Sequence, residues 1–315
     1  MASSPLAITV LGGGAWGSTL ATLARQKGLQ VRLWSRHSGE DLATAVTGSA
    51  IVVSAISMKG VRQVIDQVRA VTLPSDCILV SATKGLDPTS RNEADLPYLP
   101  SQIWQAGFPE NPVAVLSGPN LAKEIQQGLP AATVVASADA TAAETVQRAF
   151  SSSSFRVYTN PDVLGVELGG TLKNVIAIAV GACDGLNLGT NAKAALVTRG
   201  LAEIIRVGIY WGAKPETFYG LSGLGDLLAT CNSVLSRNYQ VGYGLAQGKS
   251  LTQVLAQLEG TAEGVNTTQV LVKLAEQQQI PVPISHQVDR LLKGEITPEA
   301  AVNALMLRDY KPEVH

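Results

Sequence analysis

The sequence predicts an α/β protein in two parts, a doubly wound, mostly parallel sheet over residues 1–160 and an all-α domain over residues 161–315. Three observations predict it. Short runs rich in Val, Ile and Ala recur through the first half with helical patterns between them. The first run passes straight into a glycine-rich turn, and after FRVYTN (155–160) strand patterning gives way to apolar residues spaced three and four apart. Continuous apolar strands alternating with helices belong to a parallel sheet covered on both faces.

In order, the runs are LAITVL (6–11), VRLW (31–34), AIVVSAI (50–56), CILVSA (77–82), VAVLSG (113–118) and ATVVAS (132–137). Helical spacing marks VRQVIDQVRAV (61–71), LAKEIQQG (121–128) and TAAETVQRAF (141–150) between them. Pro161 and Asp162 are suited to opening the first helix of the second half. LVTRGLAEIIRVGIYWGA (196–213), NYQVGYGLAQG (238–248) and TQVLVKLAEQQQ (268–279) continue the helical pattern.

Charge and cysteine usage narrow the function. The 24 Lys plus Arg nearly cancel the 25 Asp plus Glu, and no block of like charge stands out. That balance argues against a nucleic-acid groove or a basic membrane arm, so a small-molecule partner is expected. Cys77, Cys183, Cys231 and three scattered His match neither a zinc spacing nor a disulfide framework. No metal is expected, and a reducing, cytoplasmic compartment fits. The start MASSPLAITVLGGGAWG has no basic stretch ahead of a long apolar one. No uninterrupted run reaches the roughly 18 apolar residues of a membrane span, so stable insertion is not expected.

Gly12-Gly13-Gly14-Ala15-Trp16-Gly17 follows the first strand and leads into STLATLARQKG, a G-x-G-x-x-G between a strand and a helix starting near Ala15. Gly12 permits the tight turn, Gly14 lets backbone approach a pyrophosphate and Gly17 lets helix and strand pack closely. This is a Rossmann-like dinucleotide site; the alternative is a purely structural turn. About twenty residues on, where NAD-selective sites carry an acid, the chain reads Trp34-Ser35-Arg36-His37. Arg36 is suited to stack on adenine or pair with a 2′-phosphate, so NAD or NADP is expected, with NADPH accepted. A solvated surface arginine is the alternative.

The oddest stretch is GVELGGTLKNVIAIAVGACDG (165–185), where Lys173 and Asn174 precede six apolar residues, Val175 to Val180. An apolar helix is a buried helix, and a buried ammonium needs partners or a changed pKa. A helix cap is the alternative, but a cation near a helix N-terminus opposes the macrodipole. Lys84, in SATKGL (81–86), lies just past the carboxyl end of a strand, where open α/β sheets bind ligands. Gly118-Pro119-Asn120 likewise joins a strand to a helix and offers backbone N–H groups.

With GLSGLGDLLATC (220–231), LSRNYQVG (235–242) and GTAEGVNT (260–267), these segments resemble the NAD(P)-dependent glycerol-3-phosphate dehydrogenases, the bacterial type especially. The resemblance covers nearly the whole chain. It implies interconversion of dihydroxyacetone phosphate and sn-glycerol 3-phosphate by hydride transfer, supplying phospholipid synthesis. Lys173 would be the acid/base, Asp226 its charge partner, and Lys84 a polarising cation near the substrate. Asn174 and Thr230 would position these groups, with Gly118 and Asn120 beside the substrate. Ser236, Arg237 and Asn238 would meet the phosphate, since a guanidinium fork matches phosphate oxygens. Gly12, Gly14, Ala15, Trp16, Gly17, Arg36, Lys84, Ala122, Arg237, Thr261 and Glu263 would line the cofactor. A homodimer is left open.

Taken alone, Asp226 reads equally as a turn residue, and Ser236-Arg237-Asn238 as an N-cap with a surface arginine. A β-hydroxyacid dehydrogenase, lacking a phosphate grip, and a catalytically idle NAD(P)-binding regulator are the competing functions. The chain also departs from the family. The connection over residues 37–50 is shorter than usual by about two dozen residues. Ala55-Ile56-Ser57 stands in place of Val-Pro-Ser, and Asn120 where Ser or Thr is usual.

Overall fold

In the computed structural model the described residues are 6–89, 99–309 and 312–313; residues 1–5, which bear on the reading of the N-terminus, lie outside them. The chain begins β1 (Ala7–Leu11), α1 (Ala15–Gln26), β2 (Gln30–Trp34), α2 (Leu42–Val46), β3 (Ile51–Ser54), α3 (Val61–Val68) and β4 (Ile78–Ser81). It continues through α4 (Pro100–Gly107), β5 (Val113–Ser117), α5 (Ala122–Gln126), β6 (Ala131–Ser137), α6 (Ala140–Phe150) and β7 (Phe155–Asn160). The strands form one sheet in the order β2-β1-β3-β4-β5-β6-β7. Only β6 against β5 is antiparallel. The sole helix between these two strands has five residues, too short to carry the chain back along the sheet for a parallel crossover.

Register decides where a ligand can sit. Leu11 pairs with both Trp34 and Ser54, and Ser54 pairs with Ser81, so β1 to β4 end side by side. The turns that follow, carrying Gly12, Arg36, Ile56 and Lys84, therefore gather at one carboxyl edge. Both faces of the sheet are covered. Leu20, Ala24, Val146 and Phe150 from α1 and α6 pack with Ile8, Val10 and Val53 on one side. Val61, Ile65, Ile103 and Trp104 from α3 and α4 pack with Leu11, Val52 and Leu79 on the other. Helices α2 and α4 are not marked by the apolar spacing of the sequence.

The remainder of the chain is helical: α7 (Val163–Gly185), α8 (Gly189–Tyr210), a 3₁₀ turn (Pro215–Tyr219), a π turn (Leu221–Gly225), α9 (Asp226–Cys231) and α10 (Arg237–Ala246). Then come α11 (Leu251–Gln257), α12 (Glu263–Gln277), α13 (Pro283–Leu292) and α14 (Pro298–Met306). Asp162 caps α7, accepting from Gly165 N at 2.9 Å, and also takes Lys214 N and Thr217 Oγ1. Helix α7 is the axle of this half. Its Leu172, Val175, Ile176 and Ile178 are buried among Val197, Ile204, Leu227, Val241 and Leu271 from the surrounding helices. By length and mean hydropathy, 1.6, α7 could cross a membrane, yet 83% of that window is buried inside the protein.

One expectation is corrected. Lys173 does not stand ahead of the apolar helix but well inside it, because Gly169 and Gly170 continue the helix rather than ending it. A Cβ on Gly169 would meet the Ser222 carbonyl, and one on Gly170 the Ser117 hydroxyl. The close packing these glycines allow outweighs their helix propensity, about 1 kcal/mol each. The macrodipole therefore has little bearing on Lys173, and burial alone dictates that it find a partner.

Candidate active site

The partner is Asp226. Lys173, 6% exposed, donates from Nζ to Asp226 Oδ1 at 2.7 Å and to the Thr230 hydroxyl. Asp226 is 2% exposed and opens α9, so Thr230 falls one turn later on the same face. From the sheet, Lys84 donates to Asp226 Oδ2 at 2.5 Å and to the Gly118 carbonyl at 3.1 Å. Two ammonium groups, one from each half of the chain, thus share one buried carboxylate. Asp226 is not merely a turn residue.

Burial pulls the Lys173 ammonium down to about 8, with Lys84 adding to the fall and Asp226 opposing it. Its proton is thereby available near neutral pH, as an acid/base group requires. Burial raises the Cys231 thiol beside it to about 12, so Cys231 stays neutral.

Asn174 Oδ1 accepts from Asn238 Nδ2 at 2.9 Å, and Asn238 Oδ1 accepts from Gly264 N at 2.9 Å. Asn238 thus ties α7, α10 and α12 together. The Ser236 hydroxyl is the N-cap of α10, taking Tyr239 N at 3.2 Å. The N-cap reading of that turn is correct for Ser236. Arg237 is exposed, as the surface reading has it, and its guanidinium lies against Gly260, where a Cβ would meet Nη1 at 2.6 Å. Glu263 accepts from Met58 N at 3.2 Å, which links α12 to the turn after β3. Burial raises the Glu263 carboxyl, while Met58 N–H, Arg237 and Lys59 oppose the rise. Thr261 is exposed just ahead of it.

Gly118 has φ +156°, and a Cβ there would collide with Thr133. Asn120 donates to Thr133 Oγ1 at 3.0 Å, while its own Oδ1 is buried without a partner. Ala122 is the first residue of α5. Spacing does not single out Thr133, because it lies inside the apolar strand ATVVAS. The spacing does not single out Glu167 either, although a carboxylate in an apolar helix is the same anomaly that marks Lys173.

At the carboxyl end of β1, Gly12 has φ +119° and donates its N–H to the Trp34 carbonyl at 2.8 Å. A Cβ on Gly17 would collide with the Gly12 carbonyl, whereas one on Gly14 would meet nothing within 4 Å. Gly14 is the N-cap of α1 and supplies no side-chain cap, and the first turn, with Ala15 and Trp16, holds no acid. Trp16 Nε1 is buried without a partner. Free backbone N–H groups, open space and the helix dipole fit a pyrophosphate. Arg36 is exposed beyond β2 at the same edge.

The chain matches two family models: NAD-dependent glycerol-3-phosphate dehydrogenase C-terminus over residues 162–303, and its N-terminus over 7–40 and 37–143. The second match breaks within the short connection after β2. The chain is 67% identical over 306 residues to glycerol-3-phosphate dehydrogenase, NAD(P)+, of Nostoc sp., covering 97% of this chain and 98% of that one. It is 59% identical over 312 residues to the protein of that name from Synechocystis sp., covering 99% and 96%. Among solved structures it is similar to glycerol-3-phosphate dehydrogenase from Coxiella burnetii, 33% identical with a TM-score of 0.90, covering 96% of this chain and 99% of that one. The Nostoc chain has nearly the same length as this one, so the short connection is no defect peculiar to this sequence.

Proposed function

The chain belongs to the NAD-dependent glycerol-3-phosphate dehydrogenase family, and we propose that its cleft reduces dihydroxyacetone phosphate to sn-glycerol 3-phosphate and runs the reverse reaction. The observation that carries the reading is the Lys84–Asp226–Lys173 bridge at the carboxyl edge of the sheet. Bound NAD(P)H supplies the hydride. Lys173 places a proton where the carbonyl oxygen becomes an alkoxide, and Lys84 adds a second positive charge that stabilises the same oxygen. Asp226 orients both ammoniums and offsets the cost of burying them. Thr230 receives Lys173 on its other side, and Asn174 fixes α7 to Asn238.

Arg237 is assigned to the phosphate, with the N-terminus of α10 adding its dipole. Gly118 and Asn120 flank the substrate; the unpartnered Asn120 oxygen is suited to accept from a substrate hydroxyl. The turn Gly12–Gly17, with Ala15 and Trp16, would hold the pyrophosphate. Arg36 would meet the adenosine end, and Ala122, Thr261 and Glu263 would flank the cofactor.

A division near residue 160 between a cofactor half and a substrate half is supported by the change from β7, ending at Asn160, to α7, beginning at Val163. The product has the backbone of glycerophospholipids, which supports a role in phospholipid synthesis. Three buried, unpaired thiols support a cytoplasmic, reducing setting. A homodimer is supported by exposed apolar side chains at Ile209, Tyr210 and Tyr219, and sedimentation at several concentrations tests it.

The test of function is oxidation of NADH and NADPH, each with dihydroxyacetone phosphate. Turnover with either supports the reading. Cofactor binding without turnover would leave an NAD(P)-binding regulator.

A further inference from the structure

Glu167 is a buried acid that the proposed chemistry does not use. It sits on α7, is 2% exposed, and accepts from Ser81 Oγ at 3.2 Å and Ser101 N at 3.0 Å through Oε1. The Ser101 hydroxyl donates to Oε2. Ser81 ends β4 three residues before Lys84, and Ser101 lies in the first turn of α4, whose free N–H groups suit a carboxylate. One turn beyond Glu167, on the same face of α7, Gly170 lies against the Ser117 hydroxyl and the Lys84 Cε. The helix that carries Lys173 therefore rests on the ends of β4 and β5, and Glu167 is the polar pin of that contact. A buried acid with only hydroxyl and N–H partners stabilises less than a packed apolar side chain would. Its hydrogen bonds can instead fix one register among several.

We propose that Glu167 is a positioning residue that sets the register of α7 on the strand ends, and with it the separation of the Lys84 and Lys173 ammoniums across Asp226. The inference rests on the reading of those two lysines as the reacting pair. Burial lifts the Glu167 carboxyl to about 7, with the Ser101 and Ser81 bonds opposing the rise. A neutral amide is accordingly a close mimic of one of its natural states. Glu167→Gln keeps Oε1 as acceptor and lets Nε2 donate to the Ser101 hydroxyl, whereas Glu167→Ala removes the pin.

The experiment compares Glu167→Gln, Glu167→Ala and Ser101→Ala with the unchanged enzyme in three measurements. These are kcat with dihydroxyacetone phosphate, the Kd for NADPH, and the Lys173 titration midpoint read from its Nζ nitrogen resonance. The groups acting on that midpoint are Asp226, Lys84 and Cys231. For Glu167→Ala we expect kcat to fall by about 10-fold or more, with the Kd within about twofold. The Lys173 midpoint should rise by more than about 0.5 pH as water reaches the loosened bridge. Glu167→Gln should remain within about threefold on kcat with an unmoved midpoint. Parent-like behaviour of Glu167→Ala overturns the inference, as does equal impairment of both variants with the midpoint unmoved. If Glu167→Ala does not fold, Ser101→Ala decides, because an unmoved midpoint there overturns it too. An unchanged enzyme that fails to turn over refutes the functional reading instead, while the midpoint still tests Glu167.

Discussion

Lys84 and Lys173 bind opposite oxygens of the same carboxylate, at 2.5 Å on Asp226 Oδ2 and 2.7 Å on Asp226 Oδ1. The first lysine comes from a loop after β4 and the second from the middle of α7, so this carboxylate joins the sheet half of the molecule to the helical half. Replacing it by an amide leaves two ammoniums close together in a buried site. Asp226→Asn is expected to cost about 3–5 kcal/mol of stability, measured by urea unfolding, and to lower the Lys173 titration further.

Lys173→Ala removes the proposed proton donor without touching the turn Gly12–Gly17. Turnover should fall by about 100- to 10,000-fold, while NADPH affinity measured by fluorescence stays within a few-fold. Turnover close to that of the parent would exclude Lys173 from the mechanism.

As the proposed acid/base, the depressed Lys173 should set the pH dependence of each direction. Reduction needs the ammonium, so its kcat should decline as pH rises through about 8. Oxidation needs the neutral amine and should rise through the same midpoint. Initial rates in both directions between pH 6 and about 10, at saturating substrate, provide the check.

Arg237 separates a phosphorylated substrate from its dephosphorylated counterpart. Arg237→Ala should lower kcat/KM for dihydroxyacetone phosphate by about 10- to 100-fold, the worth of a charge-assisted contact. Activity toward dihydroxyacetone itself should change little. An equal loss on both substrates would remove Arg237 from the phosphate site, and a preference for unphosphorylated hydroxyacids would favour the competing dehydrogenase class.

Glu167 also leaves a mark on stability. Its folded pKa, about 7, is raised above the ordinary carboxyl value of 4.5. The folded protein therefore holds more protons than the unfolded chain between those values, and stability from this group is lost as pH rises through them. The loss amounts to about 3 kcal/mol. Unfolding free energies of the parent and Glu167→Gln, compared at pH 4.5 and pH 7, should show the variant lacking this decline.

Much of this was legible in the sequence because buried charge and glycine punctuation are strong local signals. The strand–turn–helix at Gly12, the residues Lys84 and Lys173, and Asp162 at the head of α7 follow from local chemistry. Other features depend on tertiary contact. The antiparallel direction of β6 depends on the length of α5, and the continuation of α7 through Gly169 and Gly170 depends on Ser222 and Ser117. Asn238 shows the same limit. Its place beside Arg237 suggests a ligand contact, while the bonds its amide makes with Asn174 and Gly264, partners remote in sequence, are not legible locally.

Helices α7 and α10 meet almost backbone to backbone: a Cβ on Gly181 would strike the Tyr239 carbonyl, and one on Gly242 the Ile178 carbonyl. Contacts of this kind contain no side chain that could swing to absorb a shift. Lys173 on one helix and Arg237 at the head of the other are consequently fastened to a single stiff frame. On the roles proposed for Lys173 and Arg237, that frame would act as a ruler, matching the span from a reacting carbonyl to a terminal phosphate and selecting substrates by length.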